Sequence, residues 1–321
     1  MVGCVLVENE TIISTGYHTK YGAAHAEREA ILAPGIQDKL HLCTLYVNLE
    51  PCSHHGKTPP CADLIIESGI KRVVIGAKDP NPLVAGKGIK KLKDAGIEVI
   101  EGIEEAACRD LNRRFYTLHE QKRPYVILKW ARSCDNFMAP VSQKQGEIFW
   151  ITGQESQTLN HLWRSQEMAI LVGEKTIQKD DPSLTVRLVA GKNPLRIVLD
   201  PDNRILGNYK ILTDPHPTII VTRRESKIEG NKEWIQLSYS NIHKELNQWL
   251  YQRNISSIII EGGVQTIQDY ILTDNWDEAR IFTGPMHMGA GLPGPLLRAK
   301  PTSVQFTGSD ILHTFFRSVP S

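Results

Sequence analysis

The chain has 321 residues, 41% hydrophobic and 23% charged, long enough for two separate cores and unlike a disordered, collagenous or coiled-coil sequence. Lys plus Arg number 37 against 36 for Asp plus Glu, a formal charge of +1, which provides no field to gather nucleic acid or an anionic membrane. No apolar run approaches the roughly 20 residues of a membrane span, no basic-then-apolar leader opens the chain, and six cysteines suit metal ligation better than a disulfide framework, so a reduced, cytoplasmic setting is expected.

Residues 2–7 (VGCVLV) and 11–17 (TIISTGY) read as a β-hairpin whose turn, Glu8-Asn9-Glu10, lacks the favoured Asn-Gly pair. Helical spacing of apolar residues predicts a helix over 24–32, and Thr44 to Leu49 reads as a strand. A short helix over 61–68 stops at Gly69, Arg72 to Gly76 is a compact buried strand, 88–95 is a helix capped by Gly96, and Ile97 to Ile100 is a further strand. This alternation predicts an α/β sheet covered on both faces.

Residues 104–122 read as one charged helix ending before Arg123-Pro124, where proline forbids simple continuation. The domain boundary is placed there, giving domains of 1–122 and 123–321. Beyond it, strands at 125–129, 169–172, 195–199, 218–222 and 257–260, with helices between several of them, open a second α/β series, and no internal repeat relates the halves.

The strongest chemical signal is His25-Ala26-Glu27 near a helix start, followed by Pro51-Cys52 and by Pro60-Cys61 opening another helix. One imidazole and two thiolates, His25, Cys52 and Cys61, fill three positions of tetrahedral zinc and leave the fourth for water, the layout of a catalytic site. Glu27, not needed as a ligand, is placed to carry a proton from that water to a ring nitrogen and to departing ammonia, as hydrolytic deamination requires. The helix start favours the Cys61 thiolate. Taken singly, a His-Ala-Glu triplet is common and two cysteines nine residues apart can be ordinary buried residues. A nucleic-acid-editing deaminase is disfavoured by the neutral charge, and a non-catalytic zinc module has no need of Glu27.

The second half lacks a Gly-x-Gly-x-x-Gly fingerprint, so a Rossmann dinucleotide site is not supported. Gly173, and Gly262-Gly263 after Glu261, put small residues at strand ends where a cofactor can approach the backbone, although glycines there are more often turns.

The stretches HAEREAI, LEPCSHHGKTPPCADLIIESGIKRVVIGAKDPNPLVAGKGI and DAGIEVIEGI in the first half resemble the bifunctional riboflavin-biosynthesis deaminase/reductase family. So do YVILKWARSCD, WITG, ILVGEKT, DDPSLTVR, RIVLD and IIIEGG in the second, and the likeness covers nearly the whole chain. It implies a cytidine-deaminase-like α/β/α domain followed by a dihydrofolate-reductase-like α/β domain. The implied activity is deamination of 2,5-diamino-6-(5-phosphoribosylamino)pyrimidin-4-one, then NADPH-dependent reduction of its ribosyl group to a ribityl chain.

The resemblance further implies pyrimidine-binding roles for His18, His54 and Lys57. In the reductase it places Lys129, Leu184 and Glu261 at the substrate, Arg164 and Arg187 on its phosphate, and Thr152, Gly173, Thr176, Asp180, Gly262 and Gly263 at the cofactor. Zn2+ and NADPH, a small phosphoribosylaminopyrimidine, no nucleic acid, no membrane and a homo-oligomer complete the expectation.

The chain departs from the family pattern at Cys134 and Asn136, at Ile148 where a serine is expected, and at its start. The family begins with a helix and then an Asn-Pro-x-Val-Gly segment, whose last three positions are here Met1-Val2-Gly3, so that the substrate-binding asparagine the resemblance implies is absent. A longer reading frame is expected; the alternative is a truncated, weakly active deaminase attached to a working reductase.

Overall fold

In the computed structural model the described residues are 1–20, 22–54, 59–82 and 84–317. They divide into two compact units, Met1–Gln121 and Lys122–Ser321. None of their helices is long and apolar enough to cross a membrane.

The first unit runs β1 (Gly3–Glu8), β2 (Thr11–Tyr17), α1 (Ala26–Ile31), β3 (Thr44–Leu49), α2 (Cys61–Glu67), β4 (Arg72–Ala77), α3 (Lys87–Asp94), β5 (Glu98–Glu101), α4 (Glu105–Leu111) and α5 (Arg113–Gln121). Its five-stranded sheet has the order β2-β1-β3-β4-β5, antiparallel at β1 and parallel from β3 to β5. The hairpin turns on Asn9 and Glu10, both at positive φ (45° and 65°). This is the two-residue geometry that matches strand twist, reached here without glycine because Asn tolerates the left-handed region. Helices α1, α2 and α3 send Ala30, Ile65 and Leu92 into one core with Leu6, Leu45, Val73 and Ile75.

The single helix expected over 104–122 is instead two, broken at Asn112. The Asn112 amide bonds back to Arg109, a tighter turn than the α-helical one, and its buried side chain accepts from the Met1 amino group. An asparagine that finds partners off the helical ladder competes with continuing it.

The second unit contains β6 (Tyr125–Arg132), β7 (Phe137–Ala139), α6 (Gln154–Gln166), β8 (Ala169–Gly173), α7 (Glu174–Asp180), β9 (Leu195–Leu199), α8 (Lys210–Thr213), β10 (Thr218–Thr222), β11 (Lys227–Glu229) and β12 (Lys232–Gln236). It continues with α9 (Ile242–Gln252), β13 (Ser257–Gly262), α10 (Val264–Leu272), β14 (Glu278–Thr283), β15 (Leu292–Pro293), β16 (Ser303–Thr307) and β17 (Asp310–Phe316). Among the described residues its main sheet has the order β11-β12-β10-β9-β8-β13-β6-β14-β17-β16, parallel from β12 to β14.

The central strands read as unbroken apolar runs because both faces are covered. Val126 and Leu128 of β6, Leu171 of β8 and Ile258 and Ile260 of β13 enter one core with Leu246 and Leu250 of α9. The alternate residues Ile127, Ile170, Val172 and Ile259 enter another with Trp163 of α6 and Phe282. The two-residue period of the strand thus sorts one sequence into two cores.

Candidate active sites

In the first unit three backbone features bring the sulfur and nitrogen ligands together. His25 is the extended residue (φ −74°, ψ 158°) immediately before α1, and Cys61 is the first residue of α2, after Pro60. Close backbone contacts fix α1 against β2 and the Pro51-Cys52 segment against α3. A Cβ on Gly16 of β2 would sit 2.1 Å from the Ala26 carbonyl, and one on Gly88 of α3 would sit 2.0 Å from that of Pro51. Neither position can carry a side chain without moving the segment that bears a ligand.

The His25 Nδ1 lies 3.4 Å from Cys61 Sγ and 3.5 Å from Cys52 Sγ, and all three candidate ligand atoms lie within 4.8 Å of one another. Zinc bonds of about 2.0–2.1 Å to nitrogen and 2.3 Å to sulfur, at a tetrahedral angle, require an N···S edge of about 3.5 Å. The donor set and its edges therefore fit zinc. The Cys61 amide donates to Cys52 Sγ at 3.3 Å. Hydrogen bonding from the Cys61 thiol holds Cys52 down at about 4, while the same contact pushes Cys61 up. Both sulfurs ligate zinc as thiolates, so metal binding at this pair is coupled to proton release.

Glu27, in the first turn of α1, is 3% exposed, and burial raises its carboxyl to about 7. The His18 ring stands edge-on to that of His25 at 5.4 Å and its Nδ1 is 3.0 Å from the Ala24 carbonyl. His54 is exposed, and Lys57 lies outside the described residues. Glu50 escaped the sequence reading. Its buried carboxylate accepts the amides of Asp79, Gly86, Gly88 and Ile89, tying the segment ahead of Cys52 to the start of α3. An acidic residue two positions before a ligand cysteine was the available signal.

In the second unit a cavity of about 400 Å³ is lined by Lys129, Thr152, Arg164, Thr176, Asp180, Leu184, Arg187 and Glu261. Gly173 and Gly262 close β8 and β13, which are paired neighbours, so their carboxyl ends lie side by side. A Cβ on Gly262 or Gly263 would stand 3.1 or 3.3 Å from Thr176 Oγ1, and one on Gly173 would meet Thr266 Oγ1 at 2.6 Å. Bare backbone at the carboxyl ends of parallel strands is where an open α/β sheet receives its ligand. Asn160 also lines the cavity, with Oδ1 buried and unpartnered. These features fit a nucleotide cofactor.

The charged residues are arranged differently from expectation. Arg164 places Nε and Nη2 on Glu261, so the fork assigned to phosphate is engaged within the protein. Arg187 is exposed, and among the described residues its guanidinium donates to the nearby Thr185 hydroxyl through Nη1 at 3.0 Å. Asp180 accepts from Gln143 at 3.0 Å, and burial raises its carboxyl. His161 and Trp150, which the sequence reading assigned no function, also line the cavity, as does Ile148 at the expected serine.

Comparison with known proteins follows the same division. Residues 124–313 match the RibD C-terminal domain family, and residues 1–77 match the cytidine and deoxycytidylate deaminase zinc-binding region. A riboflavin biosynthesis protein RibD of Aquifex aeolicus is 41% identical, with 98% of this chain and 92% of the relative aligned. That of Escherichia coli is 34% identical over 97% and 90%. The crystal structure of a diaminohydroxyphosphoribosylaminopyrimidine deaminase/5-amino-6-(5-phosphoribosylamino)uracil reductase from Thermotoga maritima superposes with a TM-score of 0.87 at 38% identity, covering 99% of this chain and 92% of that one.

Proposed function

The chain belongs to the RibD family of riboflavin-biosynthesis enzymes, and from that membership we propose how its own residues divide the work. It joins a zinc-dependent deaminase to an NADPH-dependent, dihydrofolate-reductase-like reductase, and its substrate is a small molecule. Both halves are present, so the reductase-only alternative has no support. The reactions are deamination of the diaminopyrimidinone ribosylamino phosphate and reduction of the ribosyl group to a ribityl chain.

In deamination His25, Cys52 and Cys61 hold the metal. Zinc, when bound, supplies the Lewis acidity that makes water a nucleophile near neutral pH. Glu27 takes a proton from the attacking water and gives it to the ring nitrogen, then moves a second proton, from the newly added hydroxyl, to the leaving amine, and its burial beside the ligands shields both transfers from bulk water. His18 and His54 are the pyrimidine-binding residues in this reading, and Lys57, outside the described residues, is assigned the same role. The observation that carries this reading is the 3.4 and 3.5 Å spacing of the ligand atoms beside a buried carboxylate.

In reduction NADPH, when bound, supplies the hydride that reaches the ribose C1. Thr152, Gly173, Thr176, Asp180, Gly262 and Gly263 receive the cofactor; Lys129, Leu184 and Glu261 hold the ribosyl group, and Arg187 takes the phosphate with Arg164 behind it. Arginine suits that task through its planar fork. Cys52→Ser and Thr176→Val variants, assayed separately for ammonia release and NADPH oxidation, test the division: each should lose one activity and keep the other.

The enzyme is further read as a cytoplasmic homo-oligomer. Its six cysteines are unbridged, and the terminal strand β16 presents Val304 and Phe306, 54% and 82% exposed, to solvent. Light scattering on the purified chain tests the oligomer.

A further inference from the structure

Building on the reading that the second cavity takes a phosphorylated substrate, we propose that His161 is an additional substrate-binding residue there, donating a hydrogen bond from Nε2 to the phosphorylated end of the ribosyl group.

His161 lies on α6 between Asn160 and Arg164 and lines the cavity while being only 4% exposed. Its Nδ1 accepts the backbone amide of Arg187 at 3.0 Å. A ring nitrogen that accepts carries no proton, so the proton of the neutral ring sits on Nε2. Among the described residues Nε2 has no protein partner, and it is not one of the sealed polar atoms, so its outlet is the cavity. Burial and the neighbouring Arg164 and Arg187 guanidinium groups lower the ring to about 4, so it stays a neutral donor through the physiological range.

The geometry gives the ring two faces with separate tasks. Nδ1 fixes the backbone of Arg187 and thereby the loop that also carries Leu184, while Nε2 presents one donor to the same electropositive corner. A phosphate oxygen or the adjoining ribose hydroxyl is the acceptor that such a corner selects. If His161 only braced the loop, the Nδ1 bond would be its whole contribution.

Two substitutions separate the tasks, because Asn offers an acceptor near the place of Nδ1 and Gln a donor near that of Nε2. The readouts are steady-state reduction by the zinc-loaded full chain and competitive inhibition by ribose 5-phosphate. His161→Asn should raise both the KM for the ribosylamino phosphate and the inhibition constant by about tenfold, the size of one hydrogen bond to a charged group. Both kcat and the KM for NADPH should stay within about twofold, the signature of lost uniform binding. His161→Gln should recover most of the loss. A wild-type inhibition constant in His161→Asn, or equal impairment in both variants, overturns the proposal. An unchanged inhibition constant in Arg187→Ala instead overturns the phosphate reading beneath it, by a separate signature.

Discussion

Arg164 lays Nε and Nη2 on the two carboxylate oxygens of Glu261, each at 2.7 Å. Lys129 Nζ stands 3.8 Å from the same carboxylate, and Asn160 donates to it at 3.2 Å. One buried anion thus holds two cations in the wall of the second unit's cavity. Removing one member of such a group is costlier than the group is worth, because the others keep their desolvation penalty without compensation. Glu261→Gln should destabilise the second unit by about 3–5 kcal/mol, read from urea unfolding. A loss below about 1 kcal/mol would show that solvent reaches the cations.

The same carboxylate sets a pH dependence. Burial pushes Glu261 up, but Arg164 and Lys129 pull it further down, to about 2. Its folded value lies below the ordinary one of about 4.3, so its contribution is complete above that value and is lost as pH falls toward 2. The stability difference between wild type and Glu261→Gln should be flat from about pH 7 to 5 and shrink below about 4. A difference that shrinks on raising the pH contradicts the assignment.

Glu27→Gln keeps size and removes the proton carrier. Deamination should fall by about 10²–10⁴-fold, while bound zinc and NADPH oxidation remain at wild-type levels. Retained ammonia release would assign the proton transfer to another group.

Asp310 is fully buried, and its Oδ2 accepts the Gly153 amide at 2.8 Å and the Ser156 hydroxyl at 2.6 Å. A residue of β17 thus caps the start of α6, the helix bearing Asn160, His161 and Arg164. Asp310→Ala should cost about 1–2 kcal/mol through the lost cap and its favourable charge at the helix start. A KM for the ribosylamino substrate that rises with it would show that the cap also holds the cavity wall. An unchanged unfolding midpoint argues that α6 is held by packing alone.

Legibility in the sequence followed the range over which each residue acts. The hairpin, the central strands and the Gly69 and Gly96 stops rest on local pattern and were readable. So was the His25, Cys52 and Cys61 trio, because those types in that order have few other uses. Asn112 was not readable as a break, since its competing partner, the chain's first amino group, is 111 residues away. The tasks of Glu50, His161 and Asp310 depend on partners 38, 26 and 154 residues distant, and only Glu50, two positions before a ligand cysteine, carried a local hint. Arg164 was assigned to phosphate through the resemblance, while its partner Glu261 lies 97 residues on.

X-ray absorption at the zinc edge of the purified full chain addresses the ligand trio directly. The expected shell is one nitrogen at about 2.0–2.1 Å and two sulfurs at about 2.3 Å, completed by one light atom, with one sulfur lost in Cys52→Ser. A shell of four light atoms, or one unchanged in that variant, would contradict a metal held by His25, Cys52 and Cys61.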